Sequence, residues 1–506
     1  MKKAKGVVAA GHRLTAEAAA EILADGGNAF DACVAGVCMS FVAEAAFAAP
    51  GGGGFFMVHD ADRDAISLYD AFADTPRKRR PASEVEFYAI EADFGPVKQE
   101  FHIGLGSSAT PGIVPGLLTV HRDLCRLPMG RLVEPAVRAG REGFPVNDFQ
   151  AYLFAVIAPI LTASAGVAAI FAPGGKLLTA GDIFRNPGLA DTMEWLAEDG
   201  ARVFVDGDIG QAIAAQSAGQ GGYLTADDLQ AYQVERRWPL FWRHHGAVVA
   251  LNPAPAASGA LIAYGLGLLA ALPGGGAPNS IALAEAMRAT NEARATHGDR
   301  LGKLLDDGLL AEELRKAARH PAMSRGTTHI SVIDQEGNAI AASLSNGEGN
   351  GHMVGAHGFM LNNMLGEEDL APEGLGAWRQ GVRLSSMMAP TLILERDGGV
   401  TALGTGGSNR IRTAVLQVTI NLLDRAMELA DAIEASRLHV EKGGQVSFEP
   451  GLPEAERTAL LDLAPAAHAW PEANLFFGGV HAARRHPNGR LEGAGDPRRR
   501  GQAIVV

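Results

Sequence analysis

The stretch "SRGTTHISVIDQEGNAIAASLSNGEGNG", residues 324–351, decides the reading of this chain. Two apolar runs, "HISVID" and "NAIAASLS", flank Gln335, Glu336 and Gly337. Three residues with a glycine at the left-handed position make a compact hairpin loop. If Asp334 closes the hairpin opposite Asn338, counting back along the ladder puts Thr327 directly across from Ser345. Cross-strand partners have Cβ atoms roughly 4.5–5.5 Å apart, within hydroxyl–hydroxyl reach. A slip of one residue would send Ser345 to the opposite face, so the turn decides the pairing.

The Gly326–Thr327 junction raises a chemical question. A threonine hydroxyl is a poor nucleophile without an adjacent base, and its own α-amine can serve once the preceding bond is broken. That amine has a reference pKa of about 7.7–8, suited to neutral pH. Glycine on the acyl side tolerates the strained backbone that attack on one's own peptide carbonyl requires. Threonines also begin ordinary strands, so both readings stand on these residues alone.

Two later stretches bear on the choice. "RLSSMMAPTLIL" places Ser385 and Ser386 just before an apolar strand. "LGTGGSNRIRTAVLQ" puts Gly406 and Gly407 where a loop enters a helix. Consecutive amides there can converge on an anion or oxyanion; the alternative is a tight turn with Ser408 or Asn409 as helix cap.

Further out, "LTAEAAAEILADGGNAFDACVAGVCMSFVAEA" reads as two helices, the first ending near Gly26 and Gly27. The second starts with Asn28 as cap and Asp31 in its first turn. Gly51 to Gly54 lack the Lys-Ser/Thr ending of a phosphate loop and precede a strand, so they read as a crowded turn. "LTADDLQAY" is a short helix with Thr225 and Asp228 at capping-box spacing. Helical patterns run over 280–320 and strands take over from 328. The class is therefore mixed α and β with antiparallel pairing. No repeat or low-complexity linker divides the chain.

The 506 residues carry 44 Lys and Arg against 57 Asp and Glu, a net −13, which argues against a nucleic-acid partner. The basic run Arg77, Lys78, Arg79, Arg80 reads as a solvated loop, with anion contact as the alternative. Cys33, Cys38 and Cys125 make neither a disulfide framework nor a metal quartet. Cys33 and Cys38 read as small hydrophobes on a helix. No secretory h-region opens the sequence and no apolar run is long enough to span a bilayer, so the expectation is a cytoplasmic protein with no membrane partner. No metal or organic cofactor is expected. His244 and His245 are adjacent, and neighbours on a strand point opposite ways.

Taken together the residues resemble the γ-glutamyltranspeptidase family of N-terminal-nucleophile hydrolases. Matching stretches include "LADGGNAFDACVA", "GGGGFFMV", "SATPGIVPGL", "GTTHISVIDQEGNAIA", "LNNM", "RLSSMMAPT", "GTGGSNRI" and "GAGDPRR", spread over nearly the whole chain. The resemblance implies an α+β, four-layer αββα sandwich made as one proenzyme. Cleavage would give a large subunit, 1–326, and a small one, 327–506, intertwined as one domain. It implies Thr327 as nucleophile with its freed amine as base, and Ser345 as the hydroxyl that bonds it. Gly406 and Gly407 would form the oxyanion hole, and Ser385 and Ser386 would hold the donor's carboxylate end. Glu367 falls near the acid for the donor's α-amino group, and His329 reads as strand packing.

Departures cluster on the donor. Phe72 stands where the family has an arginine for the glutamyl α-carboxylate, with Arg77, Arg79 or Arg80 as possible substitutes. Met364 replaces a glutamine. Gly347 stands where an asparagine is expected, with Asn346 one place early. The segment between "GEEDL" and "RLSSM" is short, which implies a truncated lid and a more open cleft. The expected activity is hydrolysis or acyl transfer from γ-glutamyl, glutathione-like amides. The alternatives are an acylase for another small carboxylated amide, oxamate- or glutaryl-type, and a catalytically inactive binding protein on the same fold.

Overall fold

The computed structural model describes residues 4–93, 98–272, 276–297, 326–367, 370, 374–441 and 443–506. Two antiparallel sheets face each other at its centre. In chain order their strands are β1 (Gly6–Ala10), β2 (Gly53–Asp60), β3 (Ala65–Ala71), β4 (Glu235–Arg237), β5 (Leu240–His244), β6 (Ala247–Leu251), β7 (Thr328–Asp334), β8 (Ala339–Ser345), β9 (Thr391–Leu394), β10 (Val400–Gly406), β11 (Gly479–Arg485), β12 (Leu491–Ala494) and β13 (Gln502–Val505). The first sheet runs β13-β1-β7-β8-β2-β3-β4 and the second β12-β11-β10-β9-β6-β5.

The hairpin adopts the expected register. Thr328 pairs with Leu344 and Ile333 with Ala339. The Asp334 amide donates to the Asn338 carbonyl at 3.0 Å, and Gly337 takes φ 98°. Because strand side chains alternate, this register sorts the hairpin into two faces. Ile330, Val332, Ala342 and Leu344 join the core under the helices. Ile333, Ala339 and Ala341 join the core between the sheets. Thr327 and Ser345 share the parity of this second face.

Helices cover both outer surfaces. On the first sheet lie α1 (Arg13–Ala24) and α2 (Ala29–Ala43). Asn28 caps α2 as expected, and Asp31 in its first turn completes a capping box; the helix is buried along its whole length, including Cys33 and Cys38. Burial raises both thiols, Cys38 to about 12, so they pack as inert apolar groups. The second sheet is covered by α3 (Ser258–Ala270) and α5 (Arg410–Leu423), with α4 (Ser280–His297) packed on α3. The layers are thus α, β, β, α. The helical pattern expected over 298–320 lies outside the described residues.

The tight packing predicted for Gly51 to Gly54 is present: a Cβ on Gly52 would fall 2.4 Å from the Ser345 carbonyl oxygen. Thr225 and Asp228 form a capping box. One expectation fails. His244 and His245 do not point apart, because the strand ends at His244. His245 and Gly246 form a two-residue turn with φ 45° and 85°, and Ala247 pairs with His244. No described helix is long and apolar enough to cross a membrane.

Candidate active site

The site is built where β7 begins. In the continuous chain the Gly326 carbonyl oxygen accepts two hydroxyls, Thr327 Oγ1 at 2.8 Å and Ser345 Oγ at 2.8 Å. Ser345 therefore stands across from Thr327 as the register requires, but its proton goes to the Gly326 carbonyl and not to the Thr327 hydroxyl. The Gly347 amide donates to Ser345 Oγ at 3.0 Å and fixes that rotor. On the acyl side the Gly326 amide donates to Glu348 Oε1 at 3.0 Å. Glu348 is held in turn by Asn363, whose Oδ1 accepts its amide at 3.0 Å.

The carbonyl of Thr327 is gripped from the other side. Arg499 Nη1 donates to it at 2.8 Å from a short turn after "GAGDP". Burial pulls the Arg499 guanidinium down to about 10, while Asp496 and Glu44 nearby favour its charge. Gly406 ends β10 against the same carbonyl; a Cβ there would lie 1.7 Å from the Thr327 oxygen, so only glycine fits. Gly407 takes φ 129° and α5 starts three residues on. Neither Ser408 nor Asn409 gives α5 a side-chain cap: Ser408 lines the cleft and Asn409 Oδ1 accepts from Arg294.

Beneath the strand, Thr328 faces the helical layer and donates to Glu44, which also accepts from Thr15 at 2.7 Å. Burial raises the Glu44 carboxyl above its usual range. His329 bridges Ser343 and Ser331 with its two ring nitrogens and is buried, which holds its pKa well below normal. It is a packing residue, as expected.

The cleft in front of Thr327 is lined by Phe72, Gly326, Ser345, Met364, Glu367, Leu370, Ser386, Met387, Met388, Ser408 and Ile411. Its free volume is about 30 Å³, room for about one water. The structure thus brings Ser386 and Glu367 to the cleft beside Thr327. Ser385 and Asn346 are not on the cleft wall. Asn346 is buried, its amide N–H donates to the Phe47 carbonyl, and its side chain makes no hydrogen bond among the described residues. Gly347, where the family pattern has asparagine, has φ 59° and a Cβ there would lie 2.0 Å from Asn363 Oδ1. A side chain at 347 would have to displace the Asn363 side chain, whose Oδ1 accepts the Glu348 amide.

Phe72 stacks on Phe55 with centroids 5.4 Å apart, and its carbonyl accepts from Tyr232 at 2.7 Å. No arginine or lysine is among the residues that line the cleft. Lys78 pairs with Asp227, Arg79 lies over the Trp378 ring and Arg80 reaches the Ser217 carbonyl. Lys78, Arg79 and Arg80 are thus engaged away from the cleft, and Arg77 is not among the described residues that line it. Residues 371–373 of the segment expected to be a truncated lid lie outside the described residues. Sequence reasoning missed Glu44, Glu348, Asn363 and Arg499. The last two lie in "LNNM" and "GAGDPRR", motifs that were noticed without being given a role.

The model of the gamma-glutamyltranspeptidase family matches residues 15–506. An acylase ACY 1 proenzyme from Pseudomonas sp. strain SE83 is 28% identical over 99% of this chain and 94% of its own length. A glutathione hydrolase proenzyme from Escherichia coli K12 is 28% identical over 98% of this chain and 90% of its own. The solved cephalosporin acylase from Bacillus halodurans superposes with a TM-score of 0.87 at 23% identity, covering 99% of this chain and 96% of that one, a likeness of fold. The two-sheet architecture and the match over almost the whole length make one conclusion: this chain is an enzyme of the gamma-glutamyltranspeptidase family, with the N-terminal-nucleophile hydrolase fold.

Proposed function

We propose that the chain cuts itself before Thr327 and then works as a threonine amidohydrolase whose acyl donor is not held as a γ-glutamyl group. The observation that carries the first part is the Gly326 carbonyl oxygen, which accepts both the Thr327 and Ser345 hydroxyls. Thr327 Oγ bonds to the Gly326 carbonyl carbon, the C–N bond breaks and the nitrogen takes the hydroxyl proton. Water hydrolyses the resulting ester, leaving a Gly326 carboxylate and a free α-amine on Thr327. Fragments 1–326 and 327–506 then remain as two subunits of one intertwined domain. Since Gly326 lines the cleft, the uncut chain fills the space that a donor acyl group needs.

In turnover the α-amine accepts the Thr327 proton as Oγ attacks the donor amide, and returns it to the leaving amine. The acyl ester is then hydrolysed by water or taken by an amine. Gly406 and Gly407 supply the oxyanion donors; each such donor is worth on the order of 100- to 1000-fold. Ser386 binds a polar acyl end of the donor, whereas an ammonium beside Glu367 belongs to the γ-glutamyl alternative. Phe72 supports the departure from γ-glutamyl donors, since it offers no bidentate charge-assisted bond to a carboxylate. The name of the Pseudomonas relative, an acylase, supports the same direction. The γ-glutamyl reading rests on the glutathione hydrolase relatives and on Glu367.

Processed protein assayed against γ-glutamyl-, glutaryl- and oxamyl-p-nitroanilide tests the donor. Turnover of the latter pair ahead of the first supports the proposal, and dominant γ-glutamyl turnover overturns it. Placement in the cytoplasm is likewise proposed, to be checked by fractionation of expressing cells.

A further inference from the structure

A second constellation lies at the far end of α5 and is independent of Thr327. Asp424 caps the C-terminus of this helix. His244 Nε2 is 2.8 Å from its Oδ2, and His245 Nε2 is 3.2 Å from its Oδ1. The tight turn at His245 and Gly246 is what brings the two rings together, with centroids 4.6 Å apart and planes at 80°. One ligand atom from each of the three residues lies within 4.8 Å of the other two, and among the described residues no other such group occurs.

Zinc takes nitrogen at about 2.0–2.1 Å and carboxylate oxygen at about 2.0–2.2 Å in tetrahedral array, which sets ligand–ligand edges of roughly 3.4 Å. His244 faces Oδ2 and His245 faces Oδ1 of Asp424, at 2.8 and 3.2 Å, so side-chain rotation would bring both imidazoles and one carboxylate oxygen onto a single ion. His244 and Asp424 are held in place by burial, at 1% and 6% exposure, whereas the His245 side chain is 51% exposed. The fourth position thus opens to solvent. The helix supplies a separate argument. A carboxylate at a helix C-terminus meets the negative end of the macrodipole, an unfavourable place for a lone acid and a favourable one for a cation.

The geometry points to a site for a borderline divalent cation, zinc first, held by His244, His245 and Asp424 with water as fourth ligand. Two imidazoles and one carboxylate suit zinc better than the hard oxygen-seeking cations calcium and magnesium. A metal ion takes the unprotonated imidazole nitrogens and the carboxylate, so its binding is pH-dependent. The ion would clip the edge hairpin β5–β6 to α5. The helix spans 14 residues, about 21 Å at 1.5 Å per residue, so the clip is remote from the Gly406–Gly407 end and takes no part in the acyl chemistry.

Isothermal titration of the full, untagged chain with zinc chloride tests this, with cobalt absorption reporting coordination number. One ion per chain and intense four-coordinate cobalt bands are expected. His245→Asn keeps the left-handed backbone that asparagine tolerates, and should weaken binding by about 10-fold or more. Asp424→Asn should do the same, and both should abolish the metal-dependent rise in Tm while melting cooperatively without metal. Thr327→Ala should bind as wild type, which separates this site from the proposed processing. Absence of zinc binding by the wild-type chain, or equal binding by wild type and both variants, overturns the assignment.

Discussion

The two sides of Thr327 are built on opposite plans. Behind it the contacts are polar, buried and mutually bonded: Arg499 on its carbonyl, Glu348 on the Gly326 amide, Ser345 on the Gly326 carbonyl, Glu44 under Thr328. In front of it the wall is mostly apolar, with Phe72, three methionines, Leu370 and Ile411 around one acid, Glu367. A buried polar network tolerates little change, because losing one partner strands the others at about 1–3 kcal/mol each. An apolar wall can exchange side chains of similar size at low cost. On the proposed function, this contrast would let the polar side stay fixed while the donor wall changes.

The largest effect expected on this contrast is at the nucleophile. Thr327→Ala should remain a single 52.8 kDa chain without amidase activity, read by intact mass and by turnover. Ser345→Ala removes one of two donors to the scissile carbonyl. It should slow processing by about 100- to 1000-fold in a time course on gels. If Ser345→Ala processes at the wild-type rate, the polar side is less interdependent than described.

On the apolar side, Phe72→Arg should raise kcat/KM for a γ-glutamyl anilide by about 10-fold or more, the value of one charge-assisted carboxylate contact. The same substitution should leave processing intact. Processing lost together with donor turnover would show that the two sides are not separable.

The smallest effect is a pH slope. Burial holds the Glu44 carboxyl above its unfolded value, so the folded chain binds that proton more tightly. Its contribution to stability is present below the ordinary carboxylate range and fades as pH rises through the folded pKa. One proton accounts for at most about 1.4 kcal/mol per pH unit. Glu44→Gln should flatten this fall, seen as a smaller drop in Tm on raising pH.

Much of the chemical side was legible because local rules act there. Asp334, Asn338 and Gly337 fix the hairpin, and the register alone carries Thr327 to Ser345. The cap at Asn28 and the glycines before α5 were visible for the same reason. What local rules could not supply was the set of partners that arrive from distant sequence. Arg499 is 172 residues from the carbonyl it grips and Glu44 is 284 from Thr328. Asn346 misled because its side chain, next to Ser345 in sequence, is buried off the cleft wall that Ser345 lines. The histidine pair misled because strand alternation stops at a turn, and only a backbone with φ 45° at His245 brings the rings together.

N-terminal sequencing of the purified, fully incubated protein tests the central claim most directly. A small fragment that begins Thr-Thr-His, at Thr327, is the predicted result. A chain that stays whole, or a fragment that begins at any other residue, contradicts it.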